Sequence, residues 1–138
     1  MARLVKTILL VEPEGILAEI TAFRLELLGY KVEVVTSADE AMKCVTTLKP
    51  DLIVTDLVLN GTNALGLIES LTSREDTKDI PIMVLSLDAD LDRVTTVHKI
   101  GASDFLVVPF QPEVLQEKVA KLLARPRGKA EEKIKVTL

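Results

Sequence analysis

Asp51-Leu-Ile-Val-Thr-Asp56 is a short apolar run closed at both ends by a carboxylate, and a loop containing Gly61 follows it at once. Such a run reads as a strand buried on both faces of a parallel sheet. A carboxylate at the C-terminal end of a strand of this kind lies in the crevice where open α/β sheets place their chemistry. The first predicted strand, Thr7–Val11, runs directly into a second acidic segment, Glu12-Pro13-Glu14. Central, parallel placement of the two strands brings Glu12 and Asp56 to the same edge.

Working outward, five aliphatic or β-branched runs alternate with five segments of helical period. The predicted strands are Thr7–Val11, Lys31–Val35, Leu52–Asp56, Ile82–Ser86 and Asp104–Val108. Between them lie apolar stripes at helical spacing, expected to face the core. These are Ile16, Ile20, Phe23 and Leu27; Ala38, Ala41, Met42, Val45 and Leu48; Leu67, Ile68 and Leu71; Leu91, Val94 and Val97; and Leu115, Val119, Leu122 and Leu123. Ser37 with Glu40 three residues on predicts a capping box, and Pro112 suits the first turn of the last helix. Gly29 and Gly101 each follow a helix and precede a strand, as left-handed C-terminal caps do. Strict alternation with short connections implies an α/β fold, a doubly wound parallel sheet with helices on both faces. The pattern holds over residues 1–124. Residues 125–138 read as a polar linker or tail that ends in the alternating Ile134-Lys-Val-Thr-Leu138.

The chain has 138 residues, 48% of them hydrophobic and 28% charged, which suits one domain with one core. A net charge of −4 argues against a nucleic-acid surface spread over the domain. In the tail, Glu131 and Glu132 interrupt Arg125, Arg127 and Lys129. The single Cys44 has no partner for an internal disulfide, which favours the reducing cytoplasm. No apolar run approaches the roughly 20 residues needed to span a membrane.

Four blocks, in order, resemble the receiver domain of response regulators in two-component signalling. They are Ile8-Leu-Leu-Val-Glu-Pro-Glu14, Pro50-Asp-Leu-Ile-Val-Thr-Asp-Leu-Val-Leu-Asn-Gly61, Pro81-Ile-Met-Val-Leu-Ser86 and Gly101-Ala-Ser-Asp-Phe-Leu-Val-Val-Pro-Phe110. The resemblance implies a flavodoxin-like sheet of five strands in the order 2-1-3-4-5. It places Asp56 as acceptor of a phosphoryl group from a histidine kinase or phosphotransfer protein. Ser86 becomes the hydroxyl that bonds the phosphoryl oxygens, and Phe105 the switch aromatic, here without a hydroxyl. Glu12, Asp56 and the backbone carbonyl of Val58 become ligands of Mg²⁺. It also implies a cis Val108–Pro109 bond. The face formed by the fourth helix, fifth strand and fifth helix would meet an effector, and it is compatible with homodimerisation. No nucleophile–base pair points to an independent enzyme.

Two positions depart from the family pattern. The second acid of the metal-binding pair is Pro13, which has neither carboxylate nor N–H. The lysine expected before Pro-Phe is Val108, which offers no cation to a phosphoryl group. Losing a charge-assisted bond in such a site costs on the order of 1.5–3 kcal/mol. Weak or absent Mg²⁺ binding and slow or absent phosphorylation are therefore expected. Glu14 reads better as a helix-opening residue than as a substitute ligand. Two uncompensated carboxylates raise one pKa, so Asp56 is expected to be partly protonated near neutral pH or paired with a cation. The alternative function is a pseudo-receiver, a protein–protein interaction module that works without phosphorylation. A flavin or nucleotide carrier is disfavoured, because Glu12-Pro13-Glu14 is the opposite of a phosphate cradle.

Overall fold

The computed structural model describes residues 5–87 and 91–125. The elements are β1 (Thr7–Val11), α1 (Gly15–Leu27), β2 (Lys31–Val35), α2 (Ala38–Leu48), β3 (Leu52–Asp56), β4 (Val58–Leu59), β5 (Thr62–Asn63), α3 (Leu65–Ser73), β6 (Ile82–Ser86), α4 (Leu91–Lys99), β7 (Asp104–Val107) and α5 (Pro112–Ala124). Five strands form one parallel sheet in the order β2-β1-β3-β6-β7. Counted along the sheet-forming strands, this is the order 2-1-3-4-5 expected from the sequence. The predicted tail lies, beyond Arg125, outside the described residues.

The central strands β1, β3 and β6 are buried at nearly every position because helices cover both faces. Alternate side chains feed two cores. Leu9, Val11, Ile53 and Val84 pack with residues of α2, α3 and α4. Ile8, Leu10, Val54, Met83 and Leu85 pack with Leu25 of α1 and with Leu115, Val119 and Leu122 of α5. Each large aliphatic side chain so buried contributes roughly 1.5–3 kcal/mol of transfer free energy.

Local chemistry ends the helices where the sequence says it should. Behind α1, Gly29 N donates to Glu26 O at 2.9 Å and Tyr30 N to Leu25 O at 3.3 Å, with Gly29 at φ 95°. Gly101 repeats the arrangement behind α4, at φ 121°. Both are Schellman-type caps. Ser37 Oγ accepts from Glu40 N at 3.1 Å, but the Glu40 carboxylate turns back to Thr36 rather than to Ser37, accepting from Thr36 N at 2.8 Å and Thr36 Oγ1 at 2.7 Å.

Three expectations need correction. The outer strand β7 stops at Val107 rather than Val108, since Pro109 has no N–H with which to extend the ladder. The loop after Asp56 is a small hairpin, β4 against β5, turned by Asn60 (φ 50°) and Gly61 (φ 86°). Two central residues at positive φ match the Asn-Gly turns that close two-residue hairpins. The largest correction concerns α1. Its stripe Ile16, Ile20, Phe23 and Leu27 faces away from the sheet, and Ala18, Thr21 and Leu25 are buried instead. Leu25 anchors that inner face in the core shared with α5, and Ala18 and Thr21 fill in beside it.

A Cβ added at Gly101 would stand 2.5 Å from Thr72 Cγ2, whereas one at Gly29 meets nothing within 4 Å. Thr72 is held in place, because its Oγ1 lies 2.9 Å from Ile68 O and 3.2 Å from Ile100 O. Gly29→Ala should therefore cost only its backbone strain, about 1 kcal/mol, and Gly101→Ala about 2–3 kcal/mol. Urea unfolding of the two variants checks the difference.

Candidate functional site

The site is set by the β1–β3 ladder. Val11 pairs with Thr55, so the next residue of each strand, Glu12 and Asp56, emerges side by side at the C-terminal edge. Glu12 is completely buried. Its N–H donates to Val35 O at 2.9 Å, and its Oε2 accepts from Glu14 N at 3.1 Å. Its Oε1 is buried with no hydrogen-bond donor among the described residues. Asp56 is half-buried, and its Oδ1 accepts from Val58 N at 3.1 Å. That bond fixes the Leu57–Val58 peptide against the carboxylate at the start of the hairpin. Asn60 Nδ2 donates to Thr36 O at 3.3 Å and ties the β4–β5 hairpin to the loop before α2. The hairpin was missed in the sequence, although the Asn60-Gly61 dipeptide signals it.

Burial pushes the Glu12 carboxyl up to about 8, aided by a hydrogen bond to Asp56 and by the charges of Asp56 and Glu14; the backbone N–H of Glu14 works in the opposite direction. Two ionised carboxylates offer only acceptors to each other. A proton carried by Glu12 makes the Glu12–Asp56 contact a hydrogen bond.

Ser86 ends β6, one residue past the Asp56–Leu85 pairing, and is buried. Val108 N donates to Ser86 O at 2.8 Å, so the chain at the expected lysine position passes beside Ser86. The Val108 side chain is itself buried, packed with Leu106, Leu115, Val119 and Leu122. The Val108–Pro109 bond is cis, as the resemblance implied. Phe105 pairs with Val84, partway down the sheet, and is packed, half-buried, against the α2–α4 core. Glu14 caps α1, its Oε2 accepting from Leu17 N at 2.7 Å, which is the helix-opening role read from the sequence.

Glu12, Asp56 and Val58 thus come together, Ser86 stands beside them, and Phe105 lies further down the sheet. No group of three His, Cys, Asp or Glu side chains assembles among the described residues. Two carboxylates, one of which carries the orphaned buried oxygen, still suit a hard cation such as Mg²⁺, which keeps several of its waters. Pro13 contributes no oxygen from its side chain.

An acid pair at the C-terminal edge of a 2-1-3-4-5 sheet, beside a strand-end hydroxyl, defines the receiver class of signalling domain. The sequence profile of the response regulator receiver domain matches residues 8–120. The chain belongs to that family, the receiver domains of two-component signalling. It is 34% identical over 120 residues to the phosphate regulon transcriptional regulatory protein PhoB of Pseudomonas aeruginosa, covering 87% of this chain and 52% of that protein. The chain therefore spans about half the length of that relative. Among solved structures, the non-phosphorylated HemR receiver domain of Leptospira biflexa matches with a TM-score of 0.80 and 30% identity, covering 88% of this chain and 97% of that one. The receiver domain of a sensor histidine kinase from Pseudomonas aeruginosa, solved with magnesium coordinated in its active-site cleft, matches with a TM-score of 0.81 at 23% identity, covering 88% and 99%. At that identity the likeness concerns the fold. No helix among the described residues is long and apolar enough to cross a membrane.

A carboxyl raised in the folded state binds a proton that the unfolded chain has released. Its contribution is full below about pH 4.5 and is lost as pH rises through about 8. The metal-free protein should therefore lose a few kcal/mol of stability between pH 5 and pH 8. Glu12→Gln should flatten that slope. Thermal melts at stepped pH, for both proteins, check the sign.

Proposed function

We infer that this receiver domain has lost most of its capacity for phosphotransfer and acts mainly as a phosphorylation-independent interaction module. The single observation that carries the reading is the fate of Val108. At the position where a receiver needs a cation, this chain has a buried valine that belongs to the α5 core. The position has been taken over by packing.

Transfer to Asp56 would form an O–P bond at its carboxylate and break the N–P bond of a phosphohistidine. The product would place close to two negative charges beside Glu12. Mg²⁺, when bound, supplies the positive charge that offsets this build-up. Glu12 and Asp56 would hold it with the Val58 carbonyl, without the carboxylate that Pro13 replaces. A carboxyl of raised pKa also binds cations only after giving up its proton, which weakens Mg²⁺ affinity at and below neutral pH. Ser86 retains the phosphoryl-bonding position, so a residual reaction is chemically coherent. Phe105, packed and without a polar tip, has no hydrogen bond to gain from moving. On this reading the α4–β7–α5 face meets its effector without a phosphate-driven rearrangement, the domain works in the cytoplasm, and it catalyses no reaction of its own.

Intact-protein mass spectrometry after incubation with acetyl phosphate and Mg²⁺ tests this, with Asp56→Asn as control and a competent receiver labelled in parallel. Little or no adduct is expected. Pro13→Asp should raise Mg²⁺ affinity at least about tenfold, and Pro13→Asp with Val108→Lys should restore labelling of Asp56. Full labelling of the parent chain, at the rate of the competent receiver, would show a working phosphoacceptor and end the proposal.

A further inference from the structure

Helix α1 is apolar on two opposite faces. Ala18, Thr21 and Leu25 are buried against the domain. Directly opposite, Ile16, Ile20, Phe23 and Leu27 are 67%, 50%, 59% and 62% exposed. A single exposed leucine needs no explanation, but four large apolar side chains in one row do. Their spacing is four, three, four, which is the seam of a two-stranded coiled coil, with Ile16 and Phe23 at d positions and Ile20 and Leu27 at a positions. The flanking positions are also those of a coiled coil. Glu19 and Glu26 fall at g, Leu17 and Arg24 at e. The positions that such a helix would leave to water, here Ala18 and Leu25, are the ones docked on the domain's own sheet.

From this we propose that the outer face of α1 is a homodimer interface, in which α1 of one copy packs in parallel on α1 of a second copy. Charge selects the orientation. In a parallel pair, each g residue faces the e residue five positions on in the other chain, so Glu19 meets Arg24 of the second copy, twice by symmetry. In an antiparallel pair g faces g, and Glu19 and Glu26 would repel their counterparts. The area is sufficient. Four side chains of roughly 200 Å² each, a little over half exposed, offer on the order of 500 Å² per copy. Two copies reach about 1,000 Å², the lower bound for a specific interface, before the flanking residues are counted. The helix is already ordered by its own domain, so association does not carry the cost of forming it. The stripe lies on the opposite side of α1 from the core that this helix shares with α5, and the interface requires no phosphate.

Sedimentation equilibrium of the full 138-residue chain, without phosphodonor, tests the proposal. A reversible dimer is expected. Phe23→Glu, or Ile20→Lys as a second exposed variant, should leave a folded monomer that melts cooperatively at a temperature independent of protein concentration. Glu19→Arg and Arg24→Glu alone should each weaken the dimer about tenfold, since each turns two attractive pairs into two repulsive ones. The double reversal should return the dissociation constant to within about threefold of the parent. A chain that stays monomeric to ~1 mM overturns the proposal. So does a dimer indifferent to Phe23→Glu, or one that the double reversal fails to rescue. A monomer whose α1 outer face becomes open to hydrogen exchange only after deletion of residues 126–138 would assign the face to the chain's own tail and equally overturn it.

Discussion

The pairing of β1 with β3 is the constraint on which the rest of the site depends. Parallel register puts Val11 beside Thr55, and the chain then has no choice but to deliver Glu12 and Asp56 to the same edge. Everything electrostatic about the site follows from that geometry and from the difference in burial between the two residues. Glu12 is sealed beneath the β1–α1 turn and Asp56 is open on one side. The same turn fixes the start of α1, because Glu14 donates its N–H to Glu12 and caps the helix with its side chain. The acid pair and the first helix are therefore built on one short run of backbone.

Much of this was legible in the sequence because buried parallel strands advertise themselves. Runs such as Leu52–Val54 and Ile82–Leu85 are apolar without alternation, which only a strand covered on both faces sustains. The acid pair was legible because strand ends need no tertiary information once the strands are placed. The orientation of α1 was not. Helical periodicity shows that a face exists, but not which side of the helix it lies on. The inner face of α1 has one large apolar residue, Leu25, beside Ala18 and Thr21, which score weakly as apolar, whereas the outer face has four large ones. Hydrophobicity alone then selects the wrong side. The capping of α2 was half legible for a similar reason. Ser37 was read correctly, but the Glu40 carboxylate finds two donors on Thr36 and leaves the reciprocal bond unmade.

The two departures from the receiver pattern act on the site differently. Pro13 subtracts. It offers no side-chain oxygen to a cation, and the neighbouring Glu12 keeps a buried oxygen with no hydrogen-bond donor among the described residues. Val108 substitutes. Its side chain fills space between β7 and α5 that a lysine reaching for the site would leave. A lost ligand can be offset by another oxygen or by water. A core position gained is not surrendered without a cavity, and cavities of this size cost kilocalories. On the proposed reading, the valine is therefore the stronger of the two signs.

The outer stripe of α1 makes the same point from the opposite direction. It does little for the stability of a lone domain, since its side chains keep more than half of their surface in water, and water-facing apolar surface promotes unwanted association. Folding does not require Ile16, Ile20, Phe23 and Leu27; the caps at Glu14 and Gly29 and the inner residues already define the helix. Random surface hydrophobicity would not place them on the seam of a coiled coil, nor set glutamates on one flank and an arginine on the other at the spacing that a parallel pair needs. Residues that cost solubility and add little to the fold are explained by what they contact outside it. In this domain the surface that is best formed for contact lies on α1, which begins three residues after Glu12.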